Sequence, residues 1–258
     1  MLKSWLIGVV VALIVFIGFI VVTAPAKLFV PLLALTVPQL QLASPSGTVW
    51  QGKSSQAYWR VNGSALDLGA LEWSLSARSL LALKPRVQLK SQSLGHRLEL
   101  LFTVDRQRKL QLSHFIGRLP LSMLEPWLPL LIAGNIDVLI DDLIVDLSDP
   151  QQPRIISLGG LINLQQAVWL VGDGDMLLGD YQADISLQEQ IVAVDLSDHN
   201  AGLSLNGLLS IDLSGSYKLQ AKLTPQPQLA AEISQSVKWL GKGDKNGSVL
   251  LSRQGRWR

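Results

Sequence analysis

From Gly47 onward apolar residues recur at every second position and polar ones fill the gaps. Val87-Gln88-Leu89-Lys90, Leu98-Glu99-Leu100, Leu110-Gln111-Leu112, Ile185-Ser186-Leu187, Val192-Ala193-Val194-Asp195-Leu196, Leu203-Ser204-Leu205-Asn206 and the run from Tyr217 to Leu223 all keep this period. Successive side chains of a strand point to opposite faces, so the pattern predicts strands with one buried and one wet face, as in antiparallel sheets. Gly172-Asp173-Gly174-Asp175, Asp198 to Gly202 and Ser214-Gly215-Ser216 lie between them, turn chemistry at hairpin spacing. In one place the phase slips: Ile136, Val138 and Ile140 are apolar on even positions, Leu143, Val145 and Leu147 on odd ones, with Asp141-Asp142 between. A one-residue slip flips every later side chain, which predicts a bulge or a tight turn there. Two stretches leave the period. Leu75 to Leu83 suits a short helix before Pro85, and Leu119 to Pro129 holds only a turn or two near Leu121, closed by prolines on both sides.

The N-terminus carries a different pattern. Lys3 precedes an uncharged run from Ser4 to Ala26 with an apolar core from Leu6 to Val22. Roughly 20 apolar residues at about 1.5 Å each cross a bilayer, so residues 1–26 are predicted to form a transmembrane anchor, with Trp5 at the inner interface. Ala24-Pro25-Ala26 also fits a signal-peptide processing site, but the core exceeds an ordinary h-region of about 7–15 residues. No second span follows, so a short N-terminus inside and a large domain outside is the expected topology. Pro25, Pro31, Pro38 and Pro45 then interrupt a still apolar stretch. Proline removes a donor and biases its predecessor away from the helix, so residues 27–46 are expected as a membrane-proximal connector and 47–258 as a β-rich domain.

Composition narrows the function. A hydrophobic content of 48% excludes a disordered tail, and the absence of cysteine excludes disulfide scaffolds, thiolate metal sites and cysteine nucleophiles. The net charge of +2 conceals a segregation. Lys53 to Arg118 holds eleven basic residues against four acids, whereas Asp137 to Asp198 holds twelve acids against Arg154 alone; the tail is basic again. Charges of this kind serve as solvated strand faces, or as opposed fields that orient a protein partner or meet anionic headgroups. On the second reading Arg78, Lys84, Arg86 and Lys90 form the candidate partner-binding surface. Nucleic acid is not an expected partner.

The inventory for catalysis is short. His96, His114 and His199 are scattered, expected at the surface, and no nucleophile elbow, phosphate loop or H-x-x-x-H spacing accompanies them. Asp173, Asp175 and Asp180 flank a glycine turn and have carboxylates of the kind calcium prefers, but their spacing departs from a calcium loop and turn preference explains them. Trp50, Trp59, Trp73, Trp127, Trp169 and Trp239 read as core plugs, with Trp50 expected to anchor the first strand of the core. No catalytic, metal or cofactor residue is assigned, and the chain is expected to act by binding.

The order of these features resembles the type II secretion system protein N family, the N component of the bacterial general secretion pathway. An N-terminal apolar run and Pro25-Ala26 are followed by Ser46-Gly47-Thr48-Val49-Trp50-Gln51-Gly52, where the family shows a G-T-V-W-x-G signature. Leu71-Glu72-Trp73-Ser74-Leu75, Leu128-Pro129 with Gly134, Trp239-Leu240-Gly241 and Gly247 to Leu251 extend the likeness along the chain. Gly47, Thr48, Val49, Trp50 and Gly52 are therefore a candidate structural motif. The resemblance implies a single-pass inner-membrane protein whose curved, antiparallel periplasmic sheet, with a few short helices, binds other secretion components. The alternative is a periplasmic lipid-handling β-groove, which needs a strand face left apolar and uncovered.

Overall fold

The computed structural model describes residues 13, 16, 18–20, 22–61, 63–93, 95–125, 132–149, 152–171, 174–199, 201–226, 242–243 and 247–256. The strands follow the period-two segments and pair antiparallel with their sequence neighbours. Two units divide the chain, Met1–Ser93 and Leu94–Arg258.

In the first unit, helix α1 (Ala26–Thr36) leads into β1 (Leu40–Ala43), β2 (Ser46–Gly47), β3 (Gln51–Val61), β4 (Ser64–Leu75), the short helix α2 (Ala77–Leu81) and β5 (Arg86–Ser93). The strand order is β1-β3-β4-β5, with β2 paired to β3. Thus the stretch 27–46 carries α1 and β1, and Leu40 to Ala43 pair with Trp59 to Gln56. Ser54 and Ala57 of β3, Leu71 of β4 and Ser91 of β5 are buried in this unit.

In the second unit, β6 (His96–Val104), β7 (Lys109–Pro120), a 3-10 turn (Leu121–Leu124), β8 (Ile132–Asp146), β9 (Arg154–Val171), β10 (Gly174–Gln188), β11 (Ile191–His199), β12 (Leu203–Asp212) and β13 (Ser216–Pro225) form a meander, closed by β14 (Lys242–Gly243) and β15 (Val249–Arg256). The strand order is sequential through β13 and then β15-β14. Strand β8 runs unbroken through the phase slip: its register against β9 shifts between Ile140 and Asp142, so the two apolar phases meet at a bulge.

The registers sort the side chains of this unit into two faces. One row runs Leu98, Gly117, Val138, Ile162, Ala183, Leu196, Gly207, Ala221, Leu251 across nine strands, apolar throughout. The intervening row on the other face runs Arg97, Arg118, Asp137, Asn163, Gln182, Ser197. Most of the apolar face is half-buried. Full burial concentrates in Ala167, Leu178, Leu203, Leu223 and Val249, with Leu164, Trp169, Met176, Tyr181 and Leu205 packed around them. Each fully buried leucine there contributes about 1.5–3 kcal/mol. Gly179 makes this close approach possible: at φ +116, a Cβ on it would lie 2.5 Å from Ala201 Cα.

The transmembrane anchor expected over residues 1–26 is corrected: among the described residues no helix is long and apolar enough to cross a membrane. Residues 1–12, 14, 15, 17 and 21, which carried much of that expectation, lie outside the described residues. The adjoining helix α1 has 11 residues, about 16 Å of axis against about 30 Å of hydrocarbon. With the anchor go the single-pass inner-membrane location and the description of function as membrane-anchored. Trp5, Trp127, Leu128-Pro129, Asp173 and Trp239-Leu240-Gly241 also lie outside the described residues.

Candidate partner-docking surface

The motif Gly47-Thr48-Val49-Trp50-Gln51-Gly52 is a hairpin corner. Gly47 pairs with Gly52 and Ser46 with Lys53, leaving Thr48 to Gln51 as the turn. Thr48 N–H donates to Gln51 O at 2.8 Å, and Gln51 N–H donates to Thr48 Oγ1 at 3.1 Å. Gly47 sits at φ +86, where a Cβ would lie 2.6 Å from Gln51 O. Val49 N–H donates to Ala24 O at 3.0 Å, so the turn holds the chain that enters α1. Trp50 precedes β3 and is half-buried, its carbonyl accepting from Leu75 N–H at 2.7 Å. The ring that closes on the hairpin is that of Trp73: its Nε1–H donates to Val49 O at 3.2 Å, and its face occupies the space a Cβ on Gly52 would need. The motif therefore works through its glycines and a tryptophan 21 positions further on.

Three of the four predicted basic residues share one connector. Arg78 lies on α2, Lys84 in the link and Arg86 at the start of β5, all exposed. The link is tied tightly for its length. Ser79 Oγ donates to Ser76 O at 2.6 Å and accepts from Arg86 N–H at 2.9 Å, Lys84 N–H donates to Ser79 O at 2.9 Å, and Ser76 N–H donates to Arg86 O at 3.1 Å. Three cations are thus presented on a short ordered loop. Lys90 stands apart on β5, registered opposite Glu72, which is itself opposite Lys53. It belongs to a cross-strand row of alternating charge.

On the polar face of the second unit a groove of about 570 Å³ is bordered by Arg97, Glu99, Arg118 and Asp137 and floored by Ile116 and Leu161. Arg118 Nε donates to Asp137 Oδ1 at 2.6 Å and its Nη2 to Oδ2 at 3.1 Å. That hydrogen bonding, with the Asp137 charge, holds the guanidinium more firmly protonated than usual. No local motif announces this pair, because its members are 19 residues apart and meet only through the β7–β8 register.

The remaining candidates resolve into structure. His96 is buried, contrary to the surface expectation, whereas His199 is exposed. Asp180 accepts from Gln166 N–H at 2.7 Å, and Asp198 accepts from Ser204 Oγ at 2.8 Å and Leu205 N–H at 2.7 Å. These carboxylates satisfy backbone at bulges and turns. Among the described residues no three carboxylates or histidines gather as a metal site would require.

Comparison with known proteins meets this picture along nearly the whole chain. The chain is 26% identical over 255 residues to the type II secretion system protein N of Aeromonas hydrophila, covering 95% of each. It is 27% identical over 259 residues to the protein of that name from Klebsiella pneumoniae, covering 97% of this chain and 95% of the relative. With that of Vibrio cholerae serotype O1 the identity is 24% over 249 residues, 92% of each. No solved structure matches the chain. The family model described as "Type II secretion system (T2SS), protein N" matches residues 38–252, from just before β1 into β15. The hairpin corner, the basic connector and the meander all fall within that match, and the chain belongs to the type II secretion system protein N family.

Proposed function

We propose that this chain is a non-catalytic component of the type II secretion system that contributes a β-rich domain to contacts with other components. The chain is not an enzyme; it acts by binding. The family match over residues 38–252 carries the reading, since it takes in strands of both units and not a single motif. The exposed cations Arg78, Lys84 and Arg86 supply its candidate contact surface, held by the hydrogen bonds of the α2–β5 link. Solvent-facing charges are screened beyond about 8–10 Å at physiological salt, so they serve partner selection and orientation more than affinity.

The test is complementation of a strain lacking the gene, scored by release of a secreted enzyme into the medium. Deletion should reduce release, and the intact gene should restore it. The triple variant Arg78→Glu, Lys84→Glu, Arg86→Glu should accumulate to the normal level yet restore release poorly. Full release from the deletion strain would sink the secretion reading. Recovery of the purified chain with stoichiometric lipid would favour the groove alternative instead.

A further inference from the structure

We propose that Leu83 is the anchor of the basic contact surface, a fixed apolar side chain that docks into a carboxylate-rimmed apolar pocket on a partner protein. The inference rests on the reading of the α2–β5 link as a contact surface and names what that surface fits. Helix α2 ends in a paired-bond turn: Leu83 N–H donates to Leu80 O at 2.8 Å and Lys84 N–H donates to Ser79 O at 2.9 Å, with Ala82 as the helix cap. Such a turn puts the residue after the cap in the left-handed region, which glycine enters freely and a residue with a Cβ enters at a cost. Leu83 holds that position at φ +54. Among the described residues the other non-glycine positions of positive φ are Ser44, Arg108, Gln166, Glu189 and Gln190, all polar. Burial does not offset the cost, because Leu83 is 52% exposed. Strain of this kind gathers at binding sites and switches, held there by the surrounding hydrogen bonds.

The charges of the same link select the occupant. Arg78, Lys84 and Arg86 are exposed, and from Trp73 to Leu98 the chain carries no acid. Among the described residues none of the three cations has an ion-pair partner. An apolar residue set among cations fits a pocket that is apolar inside and acidic at its rim. The turn fixes the backbone of Leu83 before binding, which removes the ordering cost that a loose loop would add. A membrane asks for more, since even one acyl chain, with far more apolar surface than a leucine, attaches only marginally. The partner is therefore a protein and not a lipid surface.

The test reads folding and docking separately. Leu83→Gly removes the side chain and the backbone cost together, so its denaturant midpoint should equal or exceed that of the parent chain. A lower midpoint would make the leucine structural and overturn the proposal. For docking, a photocrosslinking benzoylphenylalanine is placed at the exposed position of Ala82 in the full chain, in a secreting strain, and crosslinked peptides are sequenced by mass spectrometry. The expected result is one partner protein, captured at a segment with carboxylates. Its yield should fall about tenfold with Leu83→Gly and with the Arg78→Glu, Lys84→Glu, Arg86→Glu variant, and should survive Leu83→Met. No captured protein, a captured segment without acids, or a yield that Leu83→Gly leaves unchanged would overturn the proposal. Flotation of the purified chain with phosphatidylethanolamine–phosphatidylglycerol vesicles, lost in Leu83→Gly, would give the leucine to a membrane and overturn the protein partner. Normal release of secreted enzyme from the deletion strain would sink the secretion reading alone, because the crosslink is read without reference to export.

Discussion

Gly52 shows how a single missing side chain decides a corner. A Cβ there would lie 2.7 Å from Trp73 Cε2 and 2.8 Å from Ser46 O, between a ring and a backbone carbonyl that cannot both retreat. Gly52→Ala should therefore lower stability by about 1–3 kcal/mol, the usual cost of forcing atoms into a packed site, measured as a shift in the denaturant midpoint. An unchanged midpoint would mean that the Trp73 ring is free to swing away. Tyr181 carries the clearest titration. Its hydroxyl donates to Leu203 O at 2.9 Å, and burial, helped by the Asp198 charge, pushes its pKa from 10.0 to about 12. The folded state holds this proton more tightly than the unfolded chain does, so the stability it contributes is complete below pH 10.0 and is lost as pH rises through about 12. Tyr181→Phe should be less stable at pH 8 by about 1 kcal/mol and should show a shallower alkaline decline in the same denaturation series. Equal slopes for the two proteins would remove Tyr181 as their cause. Neither effect is visible in the chain alone, because Gly52 and Trp73, like Tyr181 and Leu203, meet across strands.

At the scale of the element, the link between α2 and β5 depends on one hydroxyl. Ser79 Oγ both donates to Ser76 O and accepts from Arg86 N–H, so Ser79→Ala removes a donor and an acceptor together. In this exposed setting the expected loss is about 1 kcal/mol, and the amide of Arg86 should exchange faster while amides in β4 do not. Uniformly faster exchange would show that the link is no independent element. Lys90→Glu makes a different point, since it opposes Glu72 on the neighbouring strand. Its expected cost of about 0.2–1 kcal/mol separates a pairing defect from the docking defect of the Arg78, Lys84, Arg86 variant. The short helix itself was legible from Leu75 to Leu83 ahead of Pro85. Which of the nearby cations share a surface was not, because it is the β4–β5 register that sets Lys90 opposite Glu72, while Arg86 is tied to Ser76 and Ser79 of the link.

For the whole molecule, stability in the second unit concentrates where Leu178, Leu203, Leu223 and Val249 bury together. Leu203→Ala should cost about 2–5 kcal/mol, whereas the same change at the 40%-exposed Leu208 should cost much less. Comparable losses at the two sites, measured by thermal unfolding, would mean that the two faces of the sheet contribute alike, since Leu208 lies on the face opposite Leu203. The sequence alone determined the strands, their two faces and the bulge near Asp141, because a period of two depends only on local geometry and each slip in it must be absorbed locally. It also carried the likeness to the secretion family, through residues strung along one line of chain. The spanning helix expected at the N-terminus has no counterpart among the described residues, where no helix is long and apolar enough to cross a membrane. Only the tertiary structure decided that the Trp73 ring closes on the hairpin corner and that Arg118 finds Asp137. These are facts of register, and register is set by contacts between residues that the chain keeps far apart.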